Sequence, residues 1–195
     1  PRAESIYNQI LQSDPNHAAA IHLLGVLAHQ GGDNEKAIEL IKKAITLRPD
    51  YAEAHNNLGS IFKALGRLDE AIASYQSALE FKPEYPEAHN NLGNALRGLG
   101  RMEEASICYQ QAFTVKPGYA EAHYNLGELH RELGKLEEAA ENYREACLIR
   151  PDFAEAHNNF GSMLRESGKL EEAIVWLQKA LAINPDDTTA RSNLG

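Results

Sequence analysis

Asn57, Asn91, Asn125, Asn159 and Asn193 stand 34 residues apart in this 195-residue chain. A carboxamide is a donor and an acceptor in one group. A row of such amides can pair with both the N–H and the C=O of an extended peptide backbone, whatever its side chains. The preceding position also repeats, as Asn56, Asn90 and Asn158, with His22 and Tyr124 interrupting it. The main row ends at Leu23 on its N-terminal side, and one turn further along Asn94 and Glu128 vary the pattern. These amides are the leading candidates for holding a ligand.

Two more rows share the period. Lys63, Arg97, Arg131 and Arg165 form a basic row, with His29 at its start, and Arg67, Arg101, Lys135 and Lys169 follow one turn on. They would suit an acidic peptide or an acidic partner surface. Pairing with nearby acidic helix starts accounts for them as well, because exposed ion pairs contribute only about 0–1 kcal/mol and are common. His55, His89, His123 and His157 form the last row. Helices pack about 8–10 Å apart, whereas zinc sits about 2.0–2.1 Å from a histidine nitrogen. Histidines one repeat apart therefore cannot share a metal ion, and packing or local hydrogen bonding is their expected role. No serine–histidine–acid set, phosphate-binding loop or zinc spacing is present. Neither catalysis nor a cofactor is expected.

The elements that position these rows follow from the period. Pro15, Pro49, Pro83, Pro117, Pro151 and Pro185 are also 34 apart, with nothing inserted between copies. Such a period marks a stacked repeat protein, each unit touching only its neighbours. Whole units span 18–51, 52–85, 86–119, 120–153 and 154–187. Residues 1–17 match the second half of a unit cut from its first, and 188–195 begin another. Both ends read as cuts, so open apolar end faces and end-to-end self-association are expected.

Each unit reads as helix, turn, helix, turn. Leu58, Ile61, Phe62 and Leu65 recur at three- and four-residue steps, an apolar helical face. Gly66, Gly100, Gly134 and Gly168 end the first helices, where a left-handed residue suits glycine. Acidic pairs such as Asp69/Glu70 and Glu103/Glu104 open the second helices, favoured by the helix dipole. Each second helix stops before its proline. Gly59, Gly93, Gly127 and Gly161 lie mid-helix, where glycine costs about 1 kcal/mol against alanine. A close approach must compensate, and Ala71, Ala105, Ala139 and Ala173 are the expected neighbours.

The net charge of −9 and pI near 5.4 disfavour nucleic acid and anionic membrane surfaces as partners. No stretch is long enough to span a membrane. Cys108 and Cys147 fall at different phases and suggest neither a disulfide framework nor a metal site. Trp176, the single tryptophan, is expected to be partly buried.

Leu58-Gly59, Phe62, Ala71, Tyr75, Ala78 and Pro83 fall on the spacing of the tetratricopeptide repeat, and the chain resembles that family throughout. Histidine replaces the tryptophan favoured near the start of the first helix. The resemblance implies an all-α fold, a right-handed superhelical solenoid of antiparallel helix pairs with first helices lining a concave face. Blocks such as AEAHNNLGNALRGLGRMEEA are also similar to the array preceding the catalytic domain of O-linked N-acetylglucosamine transferases. Those arrays carry an asparagine ladder. Chaperone-binding members use lysines in a carboxylate clamp, but Glu53 or Asn56 and their copies occupy those phases here. The function expected is a non-catalytic scaffold holding a peptide segment of a protein partner. A substrate-recruiting arm of a larger glycosyltransferase is the alternative, and a self-assembly scaffold a further one.

Overall fold

The computed structural model describes residues 2–195; Pro1, in the 1–17 segment, lies outside them. The described residues form twelve α-helices and no strand. The helices fall into two compact units, one running to Arg101 and one starting at Met102. The first holds α1 (Arg2–Ser13), α2 (Ala18–Gln30), α3 (Asn34–Leu47), α4 (Ala52–Ala64), α5 (Leu68–Phe81) and α6 (Pro86–Gly98). The second holds α7 (Met102–Val115), α8 (Ala120–Glu132), α9 (Leu136–Ile149), α10 (Ala154–Glu166), α11 (Leu170–Ile183) and α12 (Thr188–Leu194). Within each unit consecutive helices pack together. First helices also touch the first helices of adjoining repeats, α2 with α4, α4 with α6 and α10 with α12.

The turn inside each helix pair has one form. Gly32, Gly66, Gly100, Gly134 and Gly168 have φ of 72° to 85°. After α4 the Arg67 N–H donates to Phe62 O at 2.9 Å and the Gly66 N–H to Lys63 O at 3.0 Å. This paired closure satisfies carbonyls that the helix end leaves open. It recurs at the ends of α2, α6, α8 and α10. Any other residue at the glycine would bring a Cβ into the left-handed region.

The core is a set of small residues closed by one large residue per repeat, a tyrosine ring in three of them and Ile41 or Leu177 in the others. Ala37, Ala71, Ala105 and Ala139 have no exposed surface, nor do Tyr75, Tyr109 and Tyr143. The alignment of repeats pairs Gly59 with Ala71, but the structure puts a larger group there. A Cβ built on Gly59 would stand 2.7 Å from Tyr75 Cε1. Gly127 likewise faces Tyr143, and Gly161 faces Leu177, with the Ala139 and Ala173 carbonyls 3.3 Å away. The missing side chain is thus room for a ring or a branched residue one turn beyond the alanine.

Neighbouring helices decide which apolar residues are covered. Ile72 on α5 is buried, with α6 packed beside α5. Its repeat equivalent Ile174 on α11, which is followed by the seven-residue α12 in place of a full first helix, is 44% exposed.

Candidate functional site

The two amide rows are bonded to each other. Asn91 Nδ2 donates to Asn56 Oδ1 at 3.1 Å, and Asn193 Nδ2 to Asn158 Oδ1 at 3.0 Å. Where asparagine is absent from the earlier row, another acceptor replaces it. Asn57 Nδ2 donates to His22 Nε2 at 2.9 Å, and Asn159 Nδ2 to Tyr124 Oη at 3.2 Å. In all four cases the amide N–H reaches 35 residues back, from one repeat to the one before. His22 and Tyr124, which look like interruptions in sequence, accept the same bond.

The rows differ in exposure. Asn56, Asn90 and Asn158 are buried, at 6%, 6% and 7% exposed. Asn57, Asn91, Asn125 and Asn159 are half-buried. Among the described residues the side-chain carbonyls of Asn57 and Asn91 have no partner. Their N–H groups fix the amide planes, and their acceptors stay available. Asn94 on α6 is half-buried at the next turn.

Glu128, half-buried on α8, organises a polar cluster in the second unit. Its Oε1 accepts from Tyr143 Oη at 2.5 Å and from Asn159 Nδ2 at 2.8 Å. Its Oε2 accepts from Arg131 Nη2 at 3.0 Å, and Arg131 Nε also donates to Tyr143 Oη at 3.3 Å. Burial and the adjacent carboxylate push the Tyr143 hydroxyl above its usual value, so it remains a donor at any physiological pH. In the first unit Tyr75 Oη instead donates to Ser60 Oγ at 3.3 Å.

The basic row is not uniform. Lys63, half-buried on α4, has no ionic partner. Arg97 is half-buried on α6. Arg131 is held by Glu128, and Arg165 donates to the Asn193 carbonyl at 3.0 Å. In the following row Arg67 pairs with Glu70 of its own second helix.

The histidine row is local structure. His55, His89 and His157 each bond through Nε2 to the carbonyl of the proline six residues earlier, at 2.8 to 2.9 Å. His123 stacks on Phe113 with ring centroids 4.3 Å apart. Among the described residues no cluster of three His, Cys, Asp or Glu could hold a metal ion.

His22 carries a pH dependence. Nε2 accepts from the Asn57 amide, so the ring proton sits on Nδ1, which donates to Tyr51 Oη at 3.1 Å. Burial, chiefly, holds this imidazole below its ordinary value, with Arg48 acting the same way and Glu53 opposing. His123 and His157 are lowered by burial too. A depressed folded value means the fold favours the neutral ring. Its contribution is intact above about pH 6.5, the unfolded value, and is lost as pH falls through the folded one. Thermal melts at pH 7.5 and pH 5 are therefore expected to show a lower Tm in acid. His22→Asn, which installs the acceptor found at Asn56, is expected to narrow that gap. An unchanged gap would contradict the role given to His22.

One recurring device was not read from the sequence. Before Pro49, Pro83, Pro117 and Pro151 stands a basic residue that covers an aromatic ring three residues on. Arg48 lies 3.4 Å from the Tyr51 ring centroid, Lys82 4.5 Å from Tyr85, Lys116 5.0 Å from Tyr119 and Arg150 3.6 Å from Phe153. Lys82 and Arg150 also reach a first helix, Lys82 Nζ to Glu53 Oε1 at 2.8 Å and Arg150 Nη1 to Glu121 Oε1 at 2.6 Å. The Lys82 hydrogen bond is the main cause that draws the Glu53 carboxyl below its usual range. The signal was present as a basic–Pro–X–aromatic motif repeated every 34 residues.

Two family models match this chain. One, described as TPR repeat, covers residues 27–66, 59–100 and 161–195, and the other, described as tetratricopeptide repeat, covers residues 84–152. The chain belongs to the tetratricopeptide-repeat family. Its fold is a protein-interaction scaffold, and proteins of this family bind protein or peptide partners. No curated protein matches the chain. Among solved structures it is similar to MamA, at 27% identity over 83% of this chain and 94% of that one, with a TM-score of 0.73. YrrB, described as a TPR protein with an unusual peptide-binding site, shares the fold at 23% identity. That match covers 95% of this chain and 96% of YrrB, with a TM-score of 0.70. A thermophilic TPR protein of Thermus thermophilus also shares it, at 24% identity over 91% and 96% of the two chains, with a TM-score of 0.69. No helix among the described residues is long and apolar enough to cross a membrane.

Proposed function

We propose that this chain is a non-catalytic scaffold that holds an extended peptide segment of a partner protein along its first helices. Within each unit half-buried amides would take the peptide's backbone, those of Asn57 and Asn91 in the first and those of Asn125 and Asn159 in the second. The bonding of these amides carries the reading. The N–H groups of Asn57 and Asn91 are fixed by the preceding repeat, and their carbonyls have no partner among the described residues. Acceptors fixed in this way suit peptide N–H groups, because little side-chain freedom is lost on binding. The buried Asn56, Asn90 and Asn158 act as the support of that row. Tyr124, Glu128 and Asn94 supply variation between repeats, and so selection. Lys63, with Arg97, Arg131 and Arg165, favours an acidic segment.

An array of immobilised dodecapeptides tests this reading. The protein is expected to bind a subset enriched in Asp and Glu. The double variant Asn57→Ala/Asn91→Ala is expected to lose affinity about tenfold for all of them alike, at about 0.5–1.5 kcal/mol per bond. Undiminished binding would contradict the role of the amides. The sequence suggests that alanine at Asn91 and Asn125 leaves stability nearly untouched. The structure revises this, because Asn91→Ala leaves the buried Asn56 carbonyl without its donor, at about 1–3 kcal/mol. Binding is therefore compared at a temperature where circular dichroism shows both proteins folded.

A further inference from the structure

A groove of about 580 Å³ opens on the second-helix side of the second unit, bounded by α9, the end of α10 and α11. Ala140, Phe160, Met163 and Trp176 form its apolar floor. Trp176 is half-buried there, edge-on to Phe160 at 5.0 Å between centroids and stacked with His157 at 5.2 Å. Lys179 Nζ lies 3.9 Å from its ring centroid, and the ring lines the groove.

The rim is acidic. Glu137, Glu141, Glu166 and Glu172 stand around it, and none has a cationic partner among the described residues. Of the two cations, Arg144 lies 3.8 Å from Glu145 and Lys169 has no ionic partner. The repeat-equivalent groove of the first unit lacks this character. It is about 370 Å³, has Leu40 in place of Trp176, and among the described residues carries one acid, Glu4, and one base, Lys36. The volume and charge of the second groove are therefore not consequences of the repeat. A concave site with an apolar floor and a few charged groups around it has the usual form of a binding pocket.

We infer that this groove docks a basic, apolar segment of a partner protein: one or two large aliphatic side chains on the floor, flanked by lysine or arginine. Volume and charge together select this occupant. About 580 Å³ lies within the range of ligand pockets. The unpaired carboxylates favour a cationic flank and oppose an acidic one. The site is separate from the amide row, so the chain has two docking surfaces of opposite preference.

The single tryptophan gives the test a reporter. The probe is a fluorescein-labelled dodecapeptide of alternating lysine and leucine pairs, titrated into the intact protein. Saturable 1:1 binding is expected, with a blue shift of the Trp176 emission as the ring is covered, and with weaker binding at high salt. Glu141→Lys/Glu172→Lys, both exposed sites, is expected to raise the Kd about tenfold. Glu39→Lys/Glu80→Lys makes the same change of net charge on exposed positions of α3 and α5 and is expected to leave the Kd within about twofold. Ala140→Arg, on the floor, is expected to abolish the emission shift. Asn57→Ala/Asn91→Ala is expected to change nothing here, which separates this site from the amide row. Absence of binding would overturn the inference. So would equal binding of a glutamate–leucine peptide, an equal loss in the Glu39/Glu80 variant, or a concentration-dependent dimer that Ala140→Arg dissolves.

Discussion

Tyr143→Ala is expected to destabilise the second unit by about 3–5 kcal/mol in urea unfolding. The ring has no exposed surface and lies against Gly127, which has no side chain to move into the space. A cavity would remain, because the helices on either side are held by their own glycine turns. The hydroxyl is a separate contribution. Its bonds to Glu128 and Arg131 would be lost in Tyr143→Phe, which keeps the ring. Glu128 would retain Asn159 and Arg131, so that variant is expected to lose only about 0.5–1.5 kcal/mol. Equal losses in the two variants would show that the polar cluster, and not the ring, holds the repeat.

Gly59→Val is expected to destabilise the first unit by about 1–3 kcal/mol through overpacking. The added Cβ would stand 2.7 Å from Cε1 and 2.8 Å from Cδ1 of Tyr75. That ring is fully buried and has nowhere to retreat. Gly59→Ala adds the same Cβ but recovers about 1 kcal/mol of helix propensity, so it is expected to fall between glycine and valine. Gly118→Ala is the control. Its Cβ meets nothing within 4 Å and its φ is not in the left-handed region. There alanine is expected to stabilise by about 0.4–1 kcal/mol, by restricting the unfolded chain. Thermal or urea melts of the three variants test the order. Gly59→Val as stable as wild type would refute the close ring contact.

The contrast between these glycines shows what the sequence carries. Gly66 and its copies were legible as helix ends because a left-handed turn excludes most other residues. The apolar faces were legible because burial follows helical spacing. What faces Gly59 was not. Ala71 and Tyr75 lie one turn apart on one helix, and only the axial offset of the packed pair chooses between them. The amide rows were legible as rows. Their mutual bonds were not, because those bonds link different phases of neighbouring repeats. A reading that aligns like with like makes His22 and Tyr124 defects, whereas space makes them substitutes. The turn cations were missed for another reason. Lys82 and Arg150 look like solvated charge until the ring beside each is seen.

The amide row is also where the proposed function is most directly measurable. A peptide selected on the array can be titrated into uniformly 15N-labelled protein while the side-chain NH2 signals of asparagine and glutamine are followed. Progressive shifts are expected at Asn57, Asn91, Asn125 and Asn159, with Gln76 and Gln110 on second helices unmoved. Shifts confined to the second helices, with the four asparagine signals stationary at saturation, would contradict the account.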